Sequence, residues 1–276
     1  MRLAQQLVLV AVASVAGSAA VAATDGRWWL TLLIGAAAAA LSLAAYRWVV
    51  RRTERRPVTE LARPGAARAL GRGLGAGVLL FASVIGLIAL AGGYRVDGTG
   101  SVAAAAGLLG MLTAAAVAEE VVFRGVLLRV LEERAGTVGA LVLTSVLFGA
   151  LHLVNPDASL WGAAAVAAEG GLMLGAAYVA TRTLWLPIGL HLGWNFTAAG
   201  VFGAEVSGSD VAQGLLHGVT SGPALLTGGA FGPEGSLVAV GAGLVLTAVL
   251  LRLAHRRGRV VPRRRADSPA PAAATV

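Results

Sequence analysis

The chain has 276 residues, 57% of them apolar and only 13% charged, with a mean hydropathy of +0.77. Soluble domains carry about 25% charged residues, so the charges here are too few to coat a water-exposed surface and most of the exterior has to face lipid. The net charge is +8 and every basic residue is arginine. In a chain this apolar, that charge reads as loop arginines that set membrane topology, not as a nucleic-acid surface.

There is no cysteine, which excludes disulfides, thiolate nucleophiles and cysteine metal sites. The apolar runs cover the chain nearly end to end, so the fold class expected is an all-α, polytopic membrane helix bundle with the lipid bilayer as its main partner. A helix needs roughly 20 apolar residues to cross the hydrocarbon core. About eight segments qualify, near Leu3–Ala23, Trp28–Val50, Leu74–Ala91, Ser101–Leu131, Thr137–Leu153, Leu160–Ala180, Leu184–Phe202 and Leu237–Leu253. Alanine and glycine are abundant inside them, and small residues let membrane helices approach closely.

The first segment has a rival reading as a cleaved signal peptide, because Ala20-Val21-Ala22 resembles a small-residue cleavage site. Its apolar run exceeds the roughly 7–15 residues of a signal core, which favours an uncleaved helix. The arginines then fix a topology. Arg51, Arg52, Arg55, Arg56, Arg63, Arg68 and Arg72 lie between the second and third segments, and Arg256, Arg257, Arg259, Arg263, Arg264 and Arg265 follow the last. Arg134 and Arg182 fall in turns of the same parity, and only Arg27 and Arg95 fall in the others. Positive loops stay in the cytoplasm, so the expectation is a multi-pass protein of the cell membrane with both termini cytoplasmic.

Three parts follow: residues 1–100 with three helices and an arginine-rich loop, a membrane domain over 101–255, and a disordered tail over 256–276, rich in Arg, Pro and Ala. The Gly- and Ser-rich stretch Gly203–Ser236 is an outer loop or partly re-entrant; its sequence leaves both open.

Ionisable residues inside a bilayer are costly, so each is a functional candidate. In the fourth segment Glu120 and Arg124 are four apart and share a helix face, in the better order for an ion pair, which on its own is a structural device. Glu119 is turned about 100° away and lacks a local partner, as suits a general base. Phe148 and His152 share a face at the end of the fifth segment. Alone, His152 reads as an interfacial histidine or a functional one. In the seventh, His191 and Asn195 share a face and serve to bond a neighbouring helix, to bind a metal or to stabilise an oxyanion. Taken together, these groups can only be reconciled by converging on one wet cavity between the fourth, fifth and seventh helices. A carboxylate with imidazoles in such a cavity is hydrolytic or proton-transfer equipment. Glu169, midway along the sixth segment, belongs to none of these motifs and is a candidate cavity-lining residue. His217 and His255 read as bland.

The ordered set Glu119-Glu120-x-x-x-Arg124, Phe148-x-x-x-His152 and His191-x-x-x-Asn195 resembles the CAAX prenyl protease and bacteriocin-processing family of intramembrane proteases. Thr183-Leu184-Trp185-Leu186-Pro187 also fits the family, and Gly228-Gly229-Ala230-Phe231-Gly232-Pro233-Glu234 resembles a segment of some prokaryotic members. The resemblance covers roughly residues 100–240. It implies peptide hydrolysis within the membrane, with a membrane-associated or lipidated peptide or protein as substrate. Glu119 is implied as the base that activates water, and His152 as the residue that holds it. His191 and Asn195 are implied to stabilise the oxyanion, with Glu120 and Arg124 supporting. It leaves open a divalent metal such as zinc, with Glu119, His152 and His191 as candidate ligands, or a metal-free glutamate–histidine mechanism. The His-Glu-x-x-His spacing of a zinc helix is absent from the sequence. Two other functions compete: an inactive scaffold or bacteriocin-immunity protein, and a proton-coupled transporter. No inverted repeat of the transporter kind is visible. Substrate identity and oligomeric state are not legible at this stage.

Overall fold

The computed structural model describes residues 2–210 and 214–263, and it is a helical bundle. The helices, in chain order, are α1 (Arg2–Ala22), α2 (Trp28–Glu54), α3 (Ala66–Leu90), α4 (Val102–Glu120), α5 (Arg129–Leu151), α6 (Leu160–Val166), α7 (Leu174–Thr181), α8 (Trp185–Asn195), α9 (Ala224–Thr227) and α10 (Leu237–Arg256). Among the described residues, six helical runs are long and apolar enough to cross a membrane. Composition and helices together make this a multi-pass membrane protein.

Six runs and about eight spans are compatible because of how two stretches fold. Val102–Val154 counts as one 53-residue run, yet Gly136 interrupts it with φ 69° and ψ 171°. Only glycine adopts that backbone without strain. Phe123 and Phe148 lie almost equally far on either side of Gly136, and their rings pack with centroids 4.8 Å apart. The run therefore doubles back and makes two antiparallel spans. The expected break between Leu131 and Thr137 is a single glycine instead of a loop. The last span before the outer segment is short, with 11 residues of α8 and a 6-residue π-helical continuation over Phe196–Val201.

Among the described residues, the all-α bundle carries one small ribbon. Tyr94–Thr99 (β1) pairs antiparallel with Leu216–Thr220 (β2), with a bulge between Val96 and Gly98. This ribbon closes one end of the bundle and ties down the stretch Gly203–Ser236. The tail is also more ordered than expected at its start. Val261 exchanges hydrogen bonds with Thr137, its carbonyl accepting at 2.9 Å and its N–H donating to the hydroxyl at 2.8 Å. Residues 264–276 of the expected disordered tail lie outside the described residues.

Helix packing follows the small residues. Gly73 and Gly77 on α3 face Gly189 and Gly193 on α8, two small-x-x-x-small pairs on parallel helices. A Cβ on Gly77 would sit 2.4 Å from the Leu190 carbonyl oxygen, and one on Gly193 2.4 Å from that of Leu74. With one side of α8 held this tightly, His191 and Asn195 are directed away from α3.

The arginine-rich connections gather at one end. Arg129 binds Glu54 at 2.7 Å and Gln6 at 2.8 Å. Arg2 reaches Glu133 at 2.5 Å, Arg56 pairs with Glu60 at 2.7 Å, and Arg182 donates to Glu132 at 3.0 Å. Burial disfavours the Arg182 charge, but the hydrogen bonds and charge attraction of Glu132 and Tyr178 together lift the guanidinium above its ordinary value. Arg257 donates to the Ala180 carbonyl at 3.0 Å. The start of α1, the α2–α3 connection, the Gly136 reversal, the Arg182 turn and the segment after α10 thus share one end.

Candidate active site

The site starts where α4 changes pitch. Glu119 and Glu120 are its last two residues, and Val121–Leu128 continues as a π-helix. The same device appears at Ala167–Met173, which carries Glu169, and directly after Asn195. Short π-helical segments are rare and recur at functional sites; here two of them line one cavity, and the third begins directly after Asn195, which lines it too.

Glu120 is fully buried and Arg124 is 2% exposed. Arg124 donates to Glu120 Oε1 at 2.7 Å, to the Gly171 carbonyl at 3.1 Å and to the Gly170 carbonyl. Its guanidinium carbon lies 5.0 Å from the Phe148 ring centroid and 5.9 Å from that of Phe123. The four-residue spacing had led to this pair, but not to what else Glu120 does. The same Oε1 lies 2.9 Å from His191 Nδ1. A carboxylate accepts, so Nδ1 carries the proton and Nε2 is turned outward. Glu119 Oε2 lies 3.8 Å from that Nε2, too long for a direct hydrogen bond and suited to a water that touches both. The Glu119 side chain is 36% exposed, and its Oε2 has no hydrogen-bond partner among the described residues.

His152 donates from Nδ1 to the Phe148 carbonyl at 2.8 Å. That fixes its tautomer and leaves Nε2 as an acceptor. Glu119, His152, His191, Asn195, Phe148 and Glu169 all line one cavity of about 440 Å³. Asn195 makes no hydrogen bond to the described residues, so its amide is free toward the cavity. Glu169 is 2% exposed, and neither of its oxygens has a partner among the described residues.

The residues missed in the sequence come from the outer segment. Glu234 lines the cavity and accepts from Trp194 Nε1 at 2.7 Å, from the Ser207 N–H at 2.6 Å and from its hydroxyl at 2.7 Å. Asn155 donates to the Ser207 carbonyl at 2.7 Å. The one sequence signal was the Gly228–Glu234 segment, noted only as a likeness. The segment is part of the cavity wall, not a detached outer loop.

A metal does not fit these residues. Among the described residues no group of three His, Asp or Glu side chains is spaced to hold one. One nitrogen of His191 is held by Glu120 and one of His152 by a carbonyl. Nε2 of each ring stays open, but Glu119, His152 and His191 are not gathered into such a group.

Residues 100–197 match the family model described as Type II CAAX prenyl endopeptidase Rce1-like. No curated protein and no solved structure matches the chain. The matched span holds all three motifs and stops before the segment that carries Glu234. Over that span, about a third of the chain, the sequence is similar to the type II CAAX prenyl endopeptidases.

Proposed function

We propose that the chain is an intramembrane endopeptidase that hydrolyses peptide bonds of membrane-associated or lipidated substrates with water activated by Glu119. The observation that carries this reading is the pairing of opposites at the end of α4. Glu120 is locked by Arg124 and His191, whereas Glu119 is unpartnered in a cavity, 3.8 Å from His191 Nε2. A carboxylate held beside open space is free to take a proton; one that already accepts two strong hydrogen bonds is not.

In the proposed reaction a water lies between Glu119 and the substrate carbonyl, with its second O–H donating a hydrogen bond to His152 Nε2. Glu119 takes one proton as the water oxygen bonds to the carbonyl carbon. Negative charge gathers on the carbonyl oxygen, toward which the Asn195 amide donates. The Glu119 carboxyl then returns its proton to the peptide nitrogen as the C–N bond breaks. Water adds across the bond, and Glu119 ends as it began. Glu120 and Arg124 are positioning residues: they orient His191 through its Nδ1.

Purified in micelles, the chain is expected to cut an apolar reporter peptide, and EDTA is expected to leave that rate unchanged. Loss of cleavage with EDTA and its return with zinc would overturn the metal-free mechanism. No cleavage of any apolar peptide, with an unaltered membrane proteome in a strain lacking the protein, would favour the scaffold.

The orientation proposed has both termini cytoplasmic. The ion pairs that join the arginine-bearing connections at one end support it. Reporter domains fused after Arg68 and after Arg257 should both read cytoplasmic, and one at Ser221 external. An external reading after Arg68 reverses the model.

A further inference from the structure

The cavity has carboxyl groups from three separate elements and, among the described residues, no arginine or lysine. Glu119 comes from α4, Glu169 from the π-helical segment before α7, and Glu234 from the outer segment. The chain has no lysine, and no arginine lines the cavity among the described residues. Arg124, beside it, is committed to Glu120 and to two carbonyls, and both Phe123 and Phe148 lie against its guanidinium.

The three carboxyls are not equivalent. Glu234 accepts three hydrogen bonds from the protein, so its polar atoms are satisfied without a ligand. Glu169 accepts none: it is 2% exposed and both oxygens are unpartnered. Buried polar groups are almost always hydrogen-bonded, so a group left this way asks for a partner that arrives. Its stem packs closely against α10, where a Cβ on Gly243 would lie 3.0 Å from Glu169 Cγ, and the residue lines the cavity.

We propose that Glu169 receives a cationic side chain of the substrate, so that the cavity takes an internal segment bearing a lysine or arginine instead of a free C-terminal carboxylate. A guanidinium or ammonium brings donors for both Glu169 oxygens and a charge opposite to that of Glu234. A terminal carboxylate would enter the same chamber with three carboxyls around it and, among the described residues, no arginine or lysine to meet it. This substrate class rests on the peptidase reading of the site, but it can be tested by binding alone.

The experiment measures equilibrium binding of fluorescent apolar peptides to the Glu119→Gln protein in micelles. One residue, Lys, Met or Glu, is walked along the peptide, and each peptide is made with a free or an amidated C-terminus. At one position Lys should bind at least about tenfold tighter than Met, as a charge-assisted hydrogen bond would give. Glu there should bind more weakly than Met, and amidation should change Kd by less than about twofold. Adding Glu169→Gln should bring the Lys-to-Met ratio close to one. Should that double variant fail to fold, the ratio in the single variant still decides. No preference for Lys at any position, or tighter binding of the free-carboxylate peptides, overturns the proposal. Cleavage of the same peptides by the unaltered protein tests the peptidase reading separately.

Discussion

Glu119→Gln is expected to lower cleavage by about 10²–10⁴-fold, the usual contribution of a general base, while thermal unfolding stays where it was. The amide fills the same volume and still hydrogen-bonds, but it cannot take a proton from water. Stability should hold because the side chain is 36% exposed and makes no protein hydrogen bond through Oε2, so little folding energy depends on its charge. Glu120→Gln should behave differently. Glu120 is fully buried and its Oε1 serves both Arg124 and His191, so its loss should reduce yield and cleavage together. The measurement is kcat/KM on a reporter peptide beside the unfolding temperature of the same preparations. Normal cleavage by Glu119→Gln would remove the base from the mechanism and leave the polar cluster as structure.

The contrast between these two carboxylates was partly legible in the sequence. Spacing on one helix puts Glu120 above Arg124 and turns Glu119 aside, and that much the ion pair displays. What spacing on one helix cannot give is which face of another helix arrives there. His191 was placed beside Asn195, not against Glu120, because their contact spans α4 and α8. Glu234 escaped for the same reason: its partners Trp194 and Ser207 are distant in sequence, and a Gly-rich stretch has no periodicity to reveal a buried face. The spans were easier to read, since apolar length is a property of a single segment. The reversal at Gly136 falls at the last residue of the break expected between Leu131 and Thr137, because helix runs up to the glycine on both sides and only its positive φ marks the turn. The metal candidates rested on residue type alone, and among the described residues Glu119, His152 and His191 are not grouped as metal ligands.

The largest loss of stability is expected from Arg124→Ala. Three partners are left behind: the Glu120 carboxylate and the carbonyls of Gly170 and Gly171. Water has little access to replace the missing donors, since Glu120 is 0% and Arg124 2% exposed. Removing one partner of a buried ion pair costs about 3–5 kcal/mol, because the other charge stays buried and unmatched. The guanidinium also fills the space beside Phe123 and Phe148, so alanine opens a gap there. Arg124→Lys keeps the charge but not the planar fork that reaches a carboxylate and two carbonyls at once, and should fall between. The double change Glu120→Gln with Arg124→Met should cost less than the sum of Glu120→Gln and Arg124→Met made singly, because no lone charge remains buried. Unfolding temperatures and yields of these variants in one detergent decide the matter. If Arg124→Ala unfolds at the unaltered temperature, the pair is not what holds α4 to the Glu169-bearing helix. His191 would then be positioned by packing against α3 alone, and Glu120 would drop out of the account of the site.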